Sequence, residues 1–187
     1  MLRTRASDHA ASLVADVEDR WGPIPDEGSF VVPPLPDHDV AFPTSLRAFH
    51  EEFYPHAAGC VTRDGDGRML AIRSTSRGNW ETPGGAGEPD ETPAETARRE
   101  VREETGVVPR LAEPLYRLTM EVDFGYDETL PIPVVVFVGE PADGRVLDAD
   151  AVETPTEVAD VDWVDLTALP ESFRDRRLLR KHLIESG

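Results

Sequence analysis

Three glutamates near the middle of the chain, Glu100, Glu103 and Glu104, have the side-chain type and the spacing for metal-assisted chemistry. Offsets of three and four residues put the three carboxylates on one face of a helix. Like charges at these offsets repel each other by about 0.2–0.5 kcal/mol per pair, so the cluster is unfavourable unless a cation lies against it. Hard divalent ions such as Mg²⁺ and Mn²⁺ prefer carboxylate oxygens. The spacing therefore predicts a divalent-metal site on a helix face.

The residues around these glutamates predict the helix itself. Thr92 is a suitable N-cap, Pro93 suits the first helical position, and Glu95 completes a capping box. Gly106 can take the left-handed conformation that ends a helix. The signals together predict a helix over about residues 93–105.

The rest of this helix divides into a face for the core and a face for the site. Ala94, Ala97 and Val101 form an apolar stripe opposite the carboxylates, which predicts packing against a core. Arg99 stands four residues before Glu103, where a charge-assisted hydrogen bond can brace the carboxylate.

A glycine pair, Gly84-Gly85, precedes the helix and follows Trp80 and Pro83. Paired glycines let the backbone approach a ligand closely. A carbonyl oxygen of this turn could complete a metal shell, and the nearby helix N-terminus favours phosphate oxygens.

Residues 85–107 resemble the Nudix box, G-x5-E-x7-R-E-U-x-E-E-x-G-U, in which U is aliphatic. Asp90 departs from many members, which carry glycine before the first glutamate of the box, but it is not a signature position. The signature positions are filled by Gly85, Glu91, Arg99, Glu100, Val101, Glu103, Glu104, Gly106 and Val107.

This resemblance implies a fold, a reaction and a set of site residues. The fold is an α/β/α sandwich around a mixed β-sheet, here with an N-terminal helical and proline-rich extension. The reaction is magnesium- or manganese-dependent hydrolysis of a phosphoanhydride bond in a nucleoside diphosphate linked to another group, X. The implied roles are metal binding for Glu100, Glu103, Glu104 and the carbonyl of Gly84 or Gly85, orientation of the glutamates for Arg99, and outer positions towards the substrate for Glu88 and Glu91.

The general base has several candidates. A carboxylate that metal does not fully occupy can take a proton from the attacking water, which makes Glu103 and Glu104 candidates. Glu157 is a third, because in some family members an acidic residue before a late tryptophan-containing strand, here the one with Trp163, reaches the metals. An ordinary solvated loop charge explains Glu157 equally well.

Composition predicts a cytoplasmic protein with an acidic surface. The 187 residues carry a net charge of −18 and a single lysine, Lys181, which favours a halophilic source. Cys60 is the only cysteine, so an internal disulfide is excluded. The acidity argues against non-specific nucleic-acid binding, and the chain has no apolar run of membrane-spanning length.

We expect an N-terminal extension over residues 1–53 and a Nudix domain over 54–187. The extension comprises a helix at 6–21, a proline-rich connector without regular structure at 22–44 and a short helix at 45–53. In the Nudix domain we expect a hairpin of strands 57–62 and 69–73, further strands at 115–124, 132–139 and 161–164, and a closing helix at 172–184.

Several other side chains have two interpretations. Arg73 and Arg77 precede the box and could hold substrate phosphates, or they could be surface arginines. Phe124 and Tyr126 could stack on a base, although packing is the stronger expectation for Phe124. His50 has no partner at metal-ligand spacing, and neither has His56, so both are predicted to be structural.

The favoured function is hydrolysis of a nucleoside triphosphate or related nucleotide, with the small-molecule nucleotide as partner. An alternative is an ADP-ribose or dinucleoside polyphosphate pyrophosphatase. A proline typical of many ADP-ribose enzymes is replaced by Val122. A different class is a nucleotide sensor that binds without cleavage, which retention of the glutamates disfavours. We expect no nucleic-acid or membrane partner, and a homodimer remains compatible with the family.

Overall fold

The computed structural model describes residues 1–33, 41–142 and 156–185. None of the helices within these ranges is long and apolar enough to cross a membrane. The elements in chain order are α1 (Leu2–Trp21), β1 (Asp26–Val32), α2 (Leu46–Glu52), β2 (Ala57–Thr62), β3 (Arg68–Ser74), β4 (Trp80–Glu81), β5 (Gly84–Ala86), α3 (Pro93–Thr105), β6 (Pro109–Asp123), β7 (Thr129–Pro141), β8 (Val158–Asp165), a 3₁₀ turn (Leu166–Ala168) and α4 (Arg176–Leu183).

The strands of the described residues form a mixed sheet and a smaller antiparallel one. The larger sheet has the order β1-β6-β7-β2-β5, and the smaller sheet has the order β4-β3-β8. Strand β2 runs parallel to β7, whereas β6 and β7 are antiparallel. This mixture of directions confirms the predicted α/β class.

Alternating residues of β7 show how helices cover both faces of the larger sheet. Val135 and Phe137 pack in one apolar cluster with Val17 of α1 and Ala97 of α3. Val136, between them, packs in another cluster with residues of α4. Because successive strand residues point to opposite faces, α1 and α3 lie on one side of the sheet and α4 on the other. The sandwich implied by the resemblance is therefore confirmed.

The prediction that residues 22–44 lack regular structure is wrong for Asp26–Val32, which form β1. This strand pairs in parallel with β6 at the edge of the larger sheet. The prolines of the segment lie before and after residues 26–32, so none of them interrupts the ladder. Phe30 and Val32 pack against the apolar cluster around Phe49, which gives the strand a buried face. Residues 34–40 lie outside the described residues.

The predicted hairpin is also wrong, although both of its strands exist. Strands β2 and β3 belong to different sheets and are joined only by a bridge between Arg63 and Met69. Both edges of β2 are occupied, one by β7 and the other by β5, which leaves no edge for β3. Asp64 holds the connecting turn, since its carboxylate accepts hydrogen bonds from the backbone N–H groups of Asp66 and Arg68.

The remaining predicted elements are present with different lengths. The helix at the centre of the site spans Pro93–Thr105, as predicted. Strands β6, β7 and β8 are longer than the patterns indicated. The closing helix is shorter than predicted and begins at Arg176, because residues 172–175 form a turn in which Phe173 N–H bonds to Pro170 O.

Three histidines of the N-terminal half lie close to each other: His9 of α1, His50 of α2 and His56 before β2. The rings of His9 and His50 are 4.6 Å apart, and His56 is buried with its Nε2 2.9 Å from the Thr96 hydroxyl. Burial lowers the pKa of all three, and it lowers those of His50 and His56 to about 4. The structure thus supports the prediction that His50 and His56 are structural.

We predict that this histidine group makes the fold sensitive to acid. A histidine whose pKa is lower in the folded chain favours folding above its unfolded pKa of about 6.5, and stability falls as the pH drops from there towards 4. For His50 we expect a loss of about 1 kcal/mol at pH 5, reduced from the full shift because the ring is only half buried. Denaturant unfolding of the wild type and of His50→Asn at pH 7.5 and pH 5 would measure it. An identical pH dependence in both proteins would contradict the prediction.

Candidate active site

The capping and packing of α3 fix the direction of its acidic face. Thr92 and Glu95 form the complete capping box, and Gly106 ends the helix in the left-handed region at φ 72°. Ala97 and Val101 are fully buried, so the predicted apolar stripe anchors the helix on the sheet. With this stripe packed inward, the glutamates of the opposite face are turned towards β5 and the nearby loops.

Arg99 lies at the centre of the acidic groups. Its guanidinium donates to both carboxylate oxygens of Glu91, at 2.8 and 2.9 Å, and to Glu100 at 2.8 Å and Glu103 at 3.1 Å. A further N–H bonds to the backbone carbonyl of Ala86 in β5, at 2.8 Å. Arg99 therefore ties the helix face to the glycine turn, and the predicted contact with Glu103 is present.

Glu104 is the most enclosed of the three carboxylates on this face. It is only 7% exposed, and its Oε2 accepts a hydrogen bond of 2.8 Å from the backbone N–H of Gly84. Burial, with the negative charges of Glu100, Glu81 and Glu157, raises the pKa of Glu104 to about 8. Burial and the neighbouring carboxylates thus disfavour the charged form of Glu104 unless a cation lies against it.

Gly85 shows how closely the β5 backbone approaches the helix. A Cβ atom at this position would lie 2.6 Å from Oε2 of Glu100, so only glycine fits without moving that side chain. Burial raises the pKa of Glu100, in spite of its bond to Arg99. Glu100 and Glu104 therefore lie next to the backbone of the glycine pair.

The chemistry of this donor set fits a hard divalent cation. Its members offer oxygen atoms only, which suits Mg²⁺ or Mn²⁺. Within residues 1–33, 41–142 and 156–185, no group of three or more histidine, cysteine, aspartate or glutamate side chains already forms a metal cage. Arg99 instead bridges Glu100 and Glu103 and supplies the positive charge between them.

The other predicted acidic residues occupy three different settings. Glu91 is held as a carboxylate, because its hydrogen bonds to Arg99 lower its pKa to about 2. Glu88 is exposed, and its backbone N–H donates to Glu91. Glu157 is exposed before β8, and its negative charge contributes to the raised pKa values of Glu100 and Glu104.

The two arginines and two aromatic residues considered as substrate contacts lie in different parts of the structure. Arg73 lies on β3, 3.6 Å from the Asp160 carboxylate, and does not line the cavity beside β5. Arg77 does line that cavity and pairs with Glu81 at 2.6 Å. Phe124 is packed in a core cluster, as expected, whereas Tyr126 is 59% exposed.

A cavity of about 480 Å³ opens beside the glycine turn and contains residues that sequence reasoning missed. They come from β1, the loop before β2, β6 and the segment before α4, so no local spacing connects them. The missed residues that matter most are Phe30, Tyr54, Tyr116, Arg174 and Asp175.

Comparison with known proteins identifies the family. The model of the NUDIX domain matches residues 53–182. An RNA pyrophosphohydrolase of Erythrobacter litoralis is 30% identical over 141 residues, which cover 66% of this chain and 84% of that protein. A MutT-like protein of Streptomyces ambofaciens is 58% identical over 50 residues, which cover 27% of this chain and 32% of the relative.

A solved structure supports the same assignment at the level of the fold. The MutT NUDIX hydrolase of Burkholderia pseudomallei has a TM-score of 0.53 and 23% identity, over 69% of this chain and 97% of that one. The chain therefore belongs to the NUDIX domain family. This confirms the family named from the box, and the pyrophosphohydrolase relatives support the predicted class of enzyme, a Nudix hydrolase.

We predict that the contact between β2 and β5 tolerates no side chain at Gly59. A Cβ atom there would lie 2.6 Å from the Pro83 carbonyl oxygen and 3.3 Å from Gly84 Cα, both of them backbone atoms. Gly59→Ala should therefore lower the free energy of unfolding by about 1–3 kcal/mol, as overpacking does. Urea unfolding would measure the loss. Gly65→Ala is the matched control, since its Cβ would meet no atom within 4 Å; equal stability of the two variants would contradict the prediction.

Proposed function

We propose that this chain hydrolyses a phosphoanhydride bond of a nucleoside diphosphate linked to another group, with Mg²⁺ or Mn²⁺ as cofactor. The single observation that carries the proposal is the enclosed Glu104, bound to the Gly84 N–H on an acidic helix face beside a cavity. Hydrolases of this family generally use divalent metal ions, which agrees with the oxygen donor set. Nucleoside triphosphates and related nucleotides are the favoured substrates.

The residues of the acidic face have different proposed roles. Glu100, Glu103, Glu104 and a carbonyl of Gly84 or Gly85 would hold the metal. The metal would neutralise phosphate charge and lower the pKa of a bound water. Arg99, fixed by Glu91 and the Ala86 carbonyl, orients the glutamates.

The proton from the attacking water would go to a nearby carboxylate. Glu103, Glu104 and Glu157 are the candidates, because each lies within or beside the acidic face. Glu88, Glu91 and Arg73 are proposed as substrate contacts, with Arg73 reaching the phosphates from β3, where it also pairs with Asp160.

The alternative substrates differ in X, the group that is linked to the nucleoside diphosphate. An ADP-ribose or dinucleoside polyphosphate pyrophosphatase would use the same acidic face. The Erythrobacter relative is named for RNA, but a net charge of −18 disfavours contact with an extended nucleic-acid backbone. We therefore propose a free nucleotide as the partner, in a cytoplasmic protein adapted to high salt, whose assembly as a homodimer is a further proposal.

We predict that Glu103→Gln and Glu104→Gln each lower kcat/KM by about a hundredfold or more, the range for loss of a proton-transfer group or metal ligand. The measurement is phosphate or nucleotide release from nucleoside triphosphates, ADP-ribose, a dinucleoside tetraphosphate and a 5′-triphosphorylated RNA. Each is assayed in high salt with magnesium, with manganese and with a chelator. Glu113→Gln, on an exposed position of β6, is the matched control and should retain full activity.

Turnover that persists in the chelator, or that survives both substitutions, would contradict the proposal. No turnover of any substrate, with a nucleotide still raising the melting temperature, would instead favour the non-catalytic sensor.

A further inference from the structure

The cavity beside β5 has the size and the walls of a site for a flat ring. Its volume is about 480 Å³, and one part of its lining is the glycine turn Gly84–Ala86 that faces the acidic helix. A second part of the lining is aromatic and aliphatic: Phe30, Tyr54, Tyr116, Leu118, Met120, Val134 and Val136. A nucleotide with its phosphates at the glycine turn would thus place its base among apolar side chains.

A carboxylate also lines this cavity, together with Thr82, Arg77 and Arg174. Asp175 precedes α4, lines the cavity, and makes no side-chain cap bond to its own helix. Its carboxylate has no hydrogen-bond or ion-pair partner among the residues that the structure describes, whereas its backbone carbonyl accepts from Leu179 N–H. Burial raises its pKa, although Arg174 and Arg77 act in the opposite direction. The residue is only partly buried, so its carboxylate can be reached by a ligand, and N–H donors of that ligand would replace the water lost on binding.

The neighbouring arginines do not satisfy Asp175, because another acid already engages them. Glu81 is 4% exposed; its Oε1 lies 2.6 Å from the Arg77 guanidinium and its Oε2 lies 3.1 Å from that of Arg174. Both oxygens of Glu81 are thus used, although its single charge offsets only one of the two guanidinium charges. Neither arginine forms an ion pair with Asp175 among the described residues. Asp175 is left as the acceptor of the cavity.

A second polar group of the lining also lacks a partner. The hydroxyl oxygen of Thr82 is buried without any hydrogen bond. Thr82 lies between the paired Glu81 and the glycine turn, and it lines the same cavity as Asp175. Two unpaired polar groups beside apolar walls favour a ligand whose ring carries its own donors and acceptors.

The N-terminal extension completes this cavity. Phe30 of β1 is part of the lining, and Glu27 of the same strand bonds to Lys181 at 2.5 and 2.8 Å and to His182 at 2.8 Å. These bonds hold β1 beside α4, the helix that Asp175 precedes. The extension therefore contributes a wall to the site.

We propose that this cavity is a nucleobase site and that Asp175 makes it selective for guanine. Guanine is the common base with two adjacent N–H donors, at N1 and N2, which match the two oxygens of one carboxylate. Adenine and cytosine each offer one amino group, next to a ring nitrogen that repels a carboxylate. The N3–H of uracil lies between two carbonyl oxygens, which repel it as well. The inference rests on the proposed function for the substrate class but assigns the base independently.

The first test compares kcat/KM for GTP, ATP, CTP and UTP. The wild type should prefer GTP by about tenfold or more, the discrimination of a good bidentate base contact. Asp175→Asn presents an N–H where the wild type presents an oxygen, so it should reduce the preference to within about threefold, with a normal melting temperature. Asp19→Asn, an exposed aspartate of α1, is the matched control and should keep it. A wild type without a guanine preference overturns the proposal, whether or not Asp175→Asn folds.

The second test separates base recognition from catalysis. GMP and AMP contain no phosphoanhydride bond, so their binding, measured by calorimetry, does not depend on turnover. Tighter binding of GMP that is lost in Asp175→Asn supports the base site even if no nucleotide is hydrolysed, in which case only the proposed reaction fails. Hydrolysis with equal binding of GMP and AMP overturns the base site and leaves the reaction standing.

Discussion

The repulsion among the carboxylates of α3 is the constraint on which the rest of the site depends. Glu100, Glu103 and Glu104 share one helix face, and two of them are buried enough for their pKa values to rise. Such an arrangement persists only if other parts of the fold hold the charges in place. Arg99 does so with one guanidinium, which bonds to Glu91, Glu100, Glu103 and the Ala86 carbonyl. The remaining excess of negative charge is what a divalent cation would offset.

Close backbone contact is the second requirement, and it explains why glycines surround the acidic face. Gly59 and Gly84 lie opposite each other in the ladder of β2 and β5, and Gly85 lies against the Glu100 carboxylate. Side chains at these positions would push β5 away from β2 or from α3. The Gly84 N–H would then no longer reach Glu104, whose burial depends on that bond. The geometry of the site is therefore set by the packing of three short segments.

The parts that could be predicted from the sequence are those with local signals. Thr92, Pro93 and Gly106 define α3 through interactions within a few residues, so its bounds and its two faces follow from spacing alone. The predicted hairpin was wrong because each strand has only two edges, and strands from elsewhere in the chain compete for them. Both edges of β2 pair with other strands, β7 and β5. Strand β1 was not predicted because the prolines on both sides of it indicate irregular structure. The alternation of Phe30 and Val32 is a weaker local signal than those prolines.

The cavity could not be predicted from the sequence, because its lining comes from segments whose only connection is tertiary. Asp175 illustrates the difficulty. In the sequence it is one acid among 37 aspartates and glutamates, next to an arginine that looks like its natural partner. In the fold, Arg174 turns to Glu81, so the neighbouring charge that should neutralise Asp175 is engaged elsewhere. The function of a charged residue in so acidic a chain thus depends on which cations pair with it. Among the described residues of the cavity lining, the carboxylate of Asp175 forms no ion pair, because Arg77 and Arg174 both bond to Glu81.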